Sequence, residues 1–278
     1  MTSMPKMPSA QRGHVARGDA RIYFHAVGDG PAIVFAHGLG GSHLSWWQQV
    51  AHFMPRHRCI AISHRGFGPS VAPPGGPEPL EYADDLAAVL DHLGVAQAAI
   101  VGQSMGGWTT IEFALRYPAR VRGIVLSSTS GTIDPRTLGK ELHAPLDRWT
   151  AESATQRERC AANGVHVAAG PRMAREQPAL HLLYQQIDET SVGLDKNRIR
   201  ERLWATRVRD AAVARDILAP ALVVMGAEDI VIPPMIADRL AASFARGRAL
   251  TFPDAGHSPY FERAARFNDA VATFLATL

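Results

Sequence analysis

The chain has 278 residues, of which 46% are hydrophobic and 20% charged, and its formal net charge is +3 at pH 7. This length suits one large α/β domain with a decorating insertion, or two small domains, and the composition excludes wholesale disorder. The charge is small and its basic residues are dispersed, and no apolar run approaches the ~20 residues that cross a bilayer, so neither nucleic acid nor a membrane is expected as a partner.

Cys59 and Cys160 lie far apart with no C-x-x-C spacing. They suggest neither a disulfide framework nor a metal site, and fit a reducing cytoplasm. The first residues carry two prolines, Pro5 and Pro8, and no apolar h-region, so residues 1–12 are expected as a disordered tail and not a secretory signal.

Residues 14–27 read as two short strands around Gly18-Asp19, a hairpin turn signal. Ala32-Ile33-Val34-Phe35-Ala36 is a continuous apolar run, as in a strand covered on both faces, and it ends in the glycine-rich loop His37-Gly38-Leu39-Gly40-Gly41-Ser42. A helix is expected over residues 45–54. The strand Cys59-Ile60-Ala61-Ile62 follows, then a Pro/Gly-rich loop, then a helix over 80–93 with Leu86, Val89, Leu90 and Leu93 at spacings of three and four. Residues 98–101 form the next strand, 108–117 a helix, and 121–127 another strand. Strict alternation of strand and helix argues a parallel, doubly wound sheet. From residue 133 to 216 strand signals stop, arginines are frequent and helical patterns are broken by Gly164, Gly170-Pro171, Pro178 and Gly193. This reads as an inserted helical lid. The sheet resumes at 221–225, with a helix at 234–244, a short strand at 249–252 and a terminal helix from 259.

The stretch Gly102-Gln103-Ser104-Met105-Gly106 is G-x-S-x-G set between a strand and a helix. That context matters, because a sharp strand-to-helix turn lifts the serine hydroxyl above the sheet. Ligands in such sheets sit beyond the carboxyl ends of the strands, and Asp229 and His257 also follow strands there. Imidazole takes the proton that makes a serine hydroxyl nucleophilic, and a carboxylate orients the imidazole. The order Ser104, Asp229, His257 is that of a triad on this topology. Two backbone N–H groups, of Leu39 and Met105, are expected to face each other as an oxyanion hole. His37 is expected to brace that loop. Read singly, G-x-S-x-G is a short pattern, Asp229 a helix N-cap, and His257 a loop histidine. No G-x-G-x-x-G dinucleotide fingerprint is present, and no cofactor is expected.

Together, His37-Gly38-Leu39-Gly40, Arg65-Gly66-x-Gly68-x-Ser70, Gly102-Gln103-Ser104-Met105-Gly106-Gly107, Gly226-Ala227-Glu228-Asp229 and Gly256-His257 resemble the α/β-hydrolase superfamily, over about residues 13–130 and 216–278. The resemblance implies a mostly parallel eight-stranded sheet with helices on both faces and an inserted helical cap. The chain then divides into core (13–132), cap (133–215) and core again (216–278). The family commonly places Asp two residues before the arginine of the second motif, where this chain has Ser63. A cap roofs the pocket, and it holds His143, Trp149, His166, Met173, Leu182, Leu183, Tyr184 and Trp204. His37, Gly38, Trp108, Trp149, Tyr184 and Trp204 are the substrate-lining candidates, with ordinary packing as the alternative for each. Arg198, Arg200, Arg202, Arg207 and Arg209 are expected on solvated helix faces, a site for an acidic substrate being the alternative.

A serine at the elbow argues against the dehalogenase and epoxide hydrolase branches, which use Asp there. The chain looks most like small bacterial esterases and the 3-oxoadipate enol-lactonase-like group, which implies acyl transfer of a small-molecule ester or lactone to water. The same triad also serves carbon–carbon bond hydrolases of aromatic meta-cleavage products. A ligand-binding signalling receptor and a cofactor-free oxygenase remain as readings from other classes. Oligomeric state is unreadable, and fold does not decide substrate.

Overall fold

The computed structural model describes residues 8–191 and 193–278, so residues 1–7 of the expected tail lie outside the described residues. Eight strands form one sheet: β1 (Ala10–Arg17), β2 (Ala20–Val27), β3 (Ala32–Ala36), β4 (Arg58–Ile62), β5 (Ala98–Gln103), β6 (Val121–Ser127), β7 (Ala221–Gly226) and β8 (Gly247–Phe252). Their spatial order is β1-β2-β4-β3-β5-β6-β7-β8. The pairs β1–β2 and β2–β4 are antiparallel, and every later pair is parallel.

The first strand corrects the expected tail boundary. Residues 10–12 belong to β1, which pairs with β2 from Ala10–Val27 to Arg17–Ala20. As an edge strand with alternating exposed and half-buried residues, it has no apolar run to announce it. Its backbone pairing and the Arg17 guanidinium, held by Glu81 at 2.5 Å and Asp84 at 3.2 Å, secure it.

The helices are α1 (Trp47–Phe53), α2 (Tyr82–His92), α3 (Gly106–Arg116), α4 (His143–Ala162), α5 (Gly170–Glu176), α6 (Pro178–Glu189), α7 (Lys196–Thr206), α8 (Ala237–Ser243), α9 (Pro259–Glu262) and α10 (Ala264–Leu275). The expected terminal helix is thus two, broken at Arg263, whose backbone leaves the helical region with φ −131° and ψ 51°. Helices α4 to α7 fill the expected insertion between β6 and β7, where the described residues carry no strand, only a single bridge from Ile133 to Arg209.

Alternate residues of each central strand serve different faces of the sheet, the period-two geometry of a pleated backbone. Val34, Ile60, Ile100, Ile124 and Val223 pack with Leu86 and Leu90 of α2, Ile111 of α3 and Leu240 of α8. Ile33, Phe35, Val101, Val125 and Val224 pack instead with Phe53 of α1 and Phe267, Val271 and Phe274 of α10. Burial on both faces explains why these strands read as unbroken apolar runs. Because β3, β5, β7 and β8 are parallel, the loops that follow them leave the same edge of the sheet.

The loop after β4 is tied down from within. Arg65 donates to both oxygens of Asp85 on α2, at 2.7 and 2.5 Å, and both side chains are buried. Ser63, which replaces the family's usual Asp, accepts from the His43 backbone N–H at 3.2 Å and donates to the Gly68 carbonyl at 3.2 Å. Its hydroxyl therefore links two loops without a charge. Removing one partner from a buried ion pair leaves the other under-compensated, and without Arg65 the Asp85 carboxylate keeps only Arg17, at 3.4 Å. Arg65→Met is accordingly expected to cost about 3–5 kcal/mol at neutral pH. Burial already holds the Asp85 carboxyl above its usual range, so this deficit should shrink on acidification, as Asp85 takes up a proton. Urea unfolding of both proteins at two pH values measures it, and equal stability at neutral pH contradicts the account.

Candidate active site

Ser104 stands between β5 and α3 with a φ of 50°, in the left-handed region that a non-glycine residue seldom occupies. Its backbone is anchored by N–H donation to the Ser127 carbonyl at 3.0 Å, and its own carbonyl accepts from the Gly107 N–H at 2.9 Å. Neighbouring chains press close around this turn. A Cβ on Gly106 would overlap the carbonyl oxygen of Ala36, and one on Gly38 would overlap the Gln103 side chain and stand 3.1 Å from the Ser104 Cβ. The loop carrying Leu39 therefore lies directly against the elbow. Neither the Leu39 nor the Met105 N–H has a hydrogen-bond acceptor among the described residues.

His37 shapes that loop. Its Nε2 accepts from the His64 N–H at 3.0 Å, so Nδ1 carries the proton and donates to the Gly38 carbonyl at 2.7 Å. Burial drives its pKa down to about 3, which keeps the ring neutral and the tautomer constant. Gly41 N–H donates to the Gly38 carbonyl at 3.1 Å and closes the turn.

The loops after β7 and β8 bring Asp229 and His257 together. His257 Nδ1 donates to Asp229 Oδ2 at 2.8 Å, with both side chains buried. Asp229 Oδ1 accepts from the backbone N–H groups of Val231 at 2.7 Å and Ile232 at 2.9 Å, which fixes the carboxylate's direction. The amide of Gln103, the residue before Ser104, donates to the His257 carbonyl at 3.2 Å. That bond ties the histidine loop to the elbow.

The insertion grips the same loops. Trp149 of α4 donates its indole N–H to the Asp229 carbonyl at 3.3 Å, and Arg157 donates to the Ile230 carbonyl at 2.6 Å. Ser258 donates to the Ala168 carbonyl at 2.7 Å, and its hydroxyl oxygen accepts from the Tyr184 hydroxyl at 3.2 Å. Ile199 and Leu203 of α7 pack with Met105, Trp108, Phe67 and Tyr82, and Leu39 lies against this cluster.

The substrate-lining candidates fare differently. His37 and Gly38 are buried braces of their loop. Trp108 is 1% exposed and donates to Thr206 at 2.9 Å, so it is core. Tyr184 is also buried, beside Ser258. Trp149 is half-buried at the acid loop. Trp204 is 65% exposed and faces away from the packed side of α7, as does Leu182 on α6. An amphipathic helix presents its aromatic residue to either side, and periodicity over one short helix did not reveal which. A cleft of about 540 Å³ opens among Trp149, Glu152, Arg172, Glu228, Asp229 and Met235. Neither Ser104 nor His257 lines it.

Of the arginine run, Arg198 and Arg200 are exposed on α7 as expected, and Arg202, Arg207 and Arg209 are not on a solvated face. Arg209 turns inward to grip buried Glu112 at 2.6 and 2.8 Å, Arg202 donates to the carbonyl of Gly75 at 2.9 Å and to that of Pro77, and Arg207 lies 4.7 Å above the Trp108 ring. Each partner sits far away in sequence, on the core, which is why the run resembled a solvated face. Gln103, Glu112 and Glu262 are polar groups of this region that the sequence reading missed. Glu112 and Glu262 were detectable only as acidic residues within apolar helical patterns. Cys59 and Cys160 are both free and buried.

A model of the α/β-hydrolase fold matches residues 31–264. The chain belongs to this family. It is similar to a putative non-heme bromoperoxidase, BpoC, of Mycobacterium tuberculosis, with 30% identity over 270 residues that cover 90% of this chain and 96% of the relative. It is 29% identical to a 2-hydroxymuconate semialdehyde hydrolase of a Pseudomonas strain, over 99% of this chain and 97% of that protein. Among solved structures, the enol-lactonase of Burkholderia xenovorans superposes with a TM-score of 0.74 at 26% identity, covering 95% of this chain and all (100%) of that one. No helix among the described residues of this α/β-hydrolase is long and apolar enough to cross a membrane.

The crowding at the elbow makes a direct prediction. Gly106→Ala forces a Cβ against backbone and is expected to cost at least about 1–3 kcal/mol, as overpacking does. Gly13→Ala, whose Cβ would meet nothing closer than Phe24 at 3.6 Å, should stay within about 0.5 kcal/mol of the parent. Chemical denaturation compares them, and equal effects at the two sites refute the packing argument.

Proposed function

We propose that this α/β-hydrolase is a serine hydrolase that cleaves a small-molecule ester or lactone through an acyl-enzyme on Ser104. One observation carries the reading. The His257–Asp229 pair at 2.8 Å is tethered to Gln103, the residue beside a serine held at a φ of 50°. A strained serine, tied by its preceding residue to the loop of an imidazole that a carboxylate orients, fits the arrangement nucleophilic acyl transfer requires.

In this mechanism Ser104 attacks the carbonyl carbon while His257 takes the hydroxyl proton. Asp229 keeps the imidazole in one tautomer and stabilises the imidazolium without accepting the proton. The developing oxyanion is held by the N–H groups of Leu39 and Met105, and such preorganised donors each contribute roughly 3–4 kcal/mol to transition-state stabilisation. His257 then protonates the leaving alcohol. It next activates a water molecule that attacks the acyl-enzyme and frees Ser104. The insertion is proposed as the cap of the site, with Trp149 and the Leu39–Met105–Ile199–Leu203 cluster near the substrate.

The similarity along the whole length of a 2-hydroxymuconate semialdehyde hydrolase supports a second reading, cleavage of a carbon–carbon bond by the same triad. Substrate choice separates the two. Turnover of p-nitrophenyl acetate without turnover of a 2-hydroxy-6-oxo-dienoate is the expected result, and the reverse pattern assigns the second reaction. Ser104→Ala is expected to lower hydrolysis by at least ~10³-fold. Activity that survives this substitution rules out the serine mechanism.

A further inference from the structure

We propose that Glu262 is a positioning residue for His257. Its buried carboxylate accepts from the backbone N–H groups on both sides of the histidine and so fixes where the imidazole stands. This inference rests on the serine hydrolase reading above.

The geometry is specific to one turn. Glu262 Oε2 accepts from the Gly256 N–H at 2.8 Å, and Oε1 accepts from the Ser258 N–H at 3.0 Å. The His257 carbonyl between them accepts from Gln103 at 3.2 Å. Three consecutive residues therefore have a backbone polar group held, two by one carboxylate and one by the elbow. The ring of His257 is left to be aimed by Asp229 alone, from a backbone that cannot drift. Misplacing a reacting group by about 1 Å can cost on the order of 10²-fold in rate.

The carboxylate is costly where it stands. Glu262 is 4% exposed, and no cation lies within ion-pair distance of it among the described residues. Burying an ionised carboxylate without a cation is unfavourable unless hydrogen bonds satisfy it. Here two backbone donors do so. A loop that merely needed closing could be closed by a neutral side chain. A single group whose two oxygens bridge residues either side of the histidine controls that histidine's position instead.

The charges around Glu262 come from every element packed on it. Asp229 on the acid loop opposes its ionisation, Arg263 at the end of α9 favours it, and the buried Tyr184 and Tyr260 hydroxyls add no charge. Burial, then Asp229, pushes its pKa up to about 7, against the pull of the two backbone donors. Protonation replaces one acceptor by a donor that faces an N–H, so the clamp loosens as pH falls through about 7. Stability runs the other way. A carboxyl with a raised folded pKa contributes stability that is fully present below the ordinary carboxylate range and is lost as pH rises through about 7. The ionised, well-aimed histidine loop is thus the less stable one.

Two measurements test this. In Glu262→Gln the amide can accept at one oxygen only, and its NH₂ opposes the second N–H. With a p-nitrophenyl ester at about pH 8, and active sites counted by an irreversible phosphonylating reagent, kcat per site is expected to fall about 10- to 100-fold with KM within about threefold. Glu262→Asp, which keeps the charge but is one methylene shorter, should fall in between. A kcat per site within twofold of the parent in Glu262→Gln overturns the proposal. The second measurement needs neither activity nor a change at Glu262. In His257→Gln, which has no imidazole to titrate, the amide proton shifts of Gly256 and Ser258 should move together in a single transition as the carboxylate to which both donate is protonated. Shifts that move in separate transitions, or that do not respond between about pH 4 and 9, overturn the proposal even where Glu262→Gln does not fold. Ser104→Ala tests the serine reading separately, because the Glu262 hydrogen bonds do not involve that side chain.

Discussion

Ser104 sits in a backbone conformation that it would not hold alone, and the rest of the structure depends on what holds it. A left-handed φ on a residue with a Cβ costs of order 1–3 kcal/mol. Here it is over-determined by close packing, because Gly106 on the elbow and Gly38 on the chain after β3 let these two segments approach where a side chain on either glycine would collide. The same closeness that imposes the strain also brings the Leu39 loop against the elbow. The strain and the closeness of the Leu39 loop therefore have one cause, which is the absence of side chains at those two positions.

A second constraint is that the proposed acid and base come from loops far apart in sequence and share an edge only because the strands are parallel. Nothing local makes Asp229 and His257 meet. The sheet order β5-β6-β7-β8 does, and backbone hydrogen bonds then remove the remaining freedom. Val231 and Ile232 aim the Asp229 carboxylate, while Gln103 and Glu262 hold the turn around His257. The insertion adds its own grip through Trp149, Arg157 and Ala168. The insertion is thereby fastened to the loops that carry Asp229 and Ser258.

Polar residues are placed with unusual economy in this region. Ser63, where the family commonly has Asp, links the His43 loop to Gly68 with a neutral hydroxyl. Glu112 and Arg209 join α3, the helix that begins at the elbow, to the segment leaving the insertion. Thr132 adds a hydrogen bond of 2.7 Å to the same carboxylate. Charged residues from the arginine run thus fasten the insertion to the core at three points, and its chemistry in this structure is largely structural.

Much of this was legible in the sequence. Alternation of apolar runs with helical periods specified a parallel sheet, since strands covered on both faces need no polar alternation. Glycine spacing about Ser104 specified the elbow, and the order of Ser104, Asp229 and His257 after successive strands identified the candidate triad. Other features belonged to tertiary structure alone. The edge strand β1 carries no apolar signal, so its start at Ala10 emerged only from pairing with β2. Trp204 and Trp108 look alike as apolar residues, yet one faces solvent and the other is core, because helix orientation is set by what each helix packs against. The hydrogen bonds of Gln103 and Glu262 span loops that meet only when the sheet closes. A sequence determines which residues have the chemistry, through local pattern; it is long-range packing, invisible to local pattern, that determines which of them face one another.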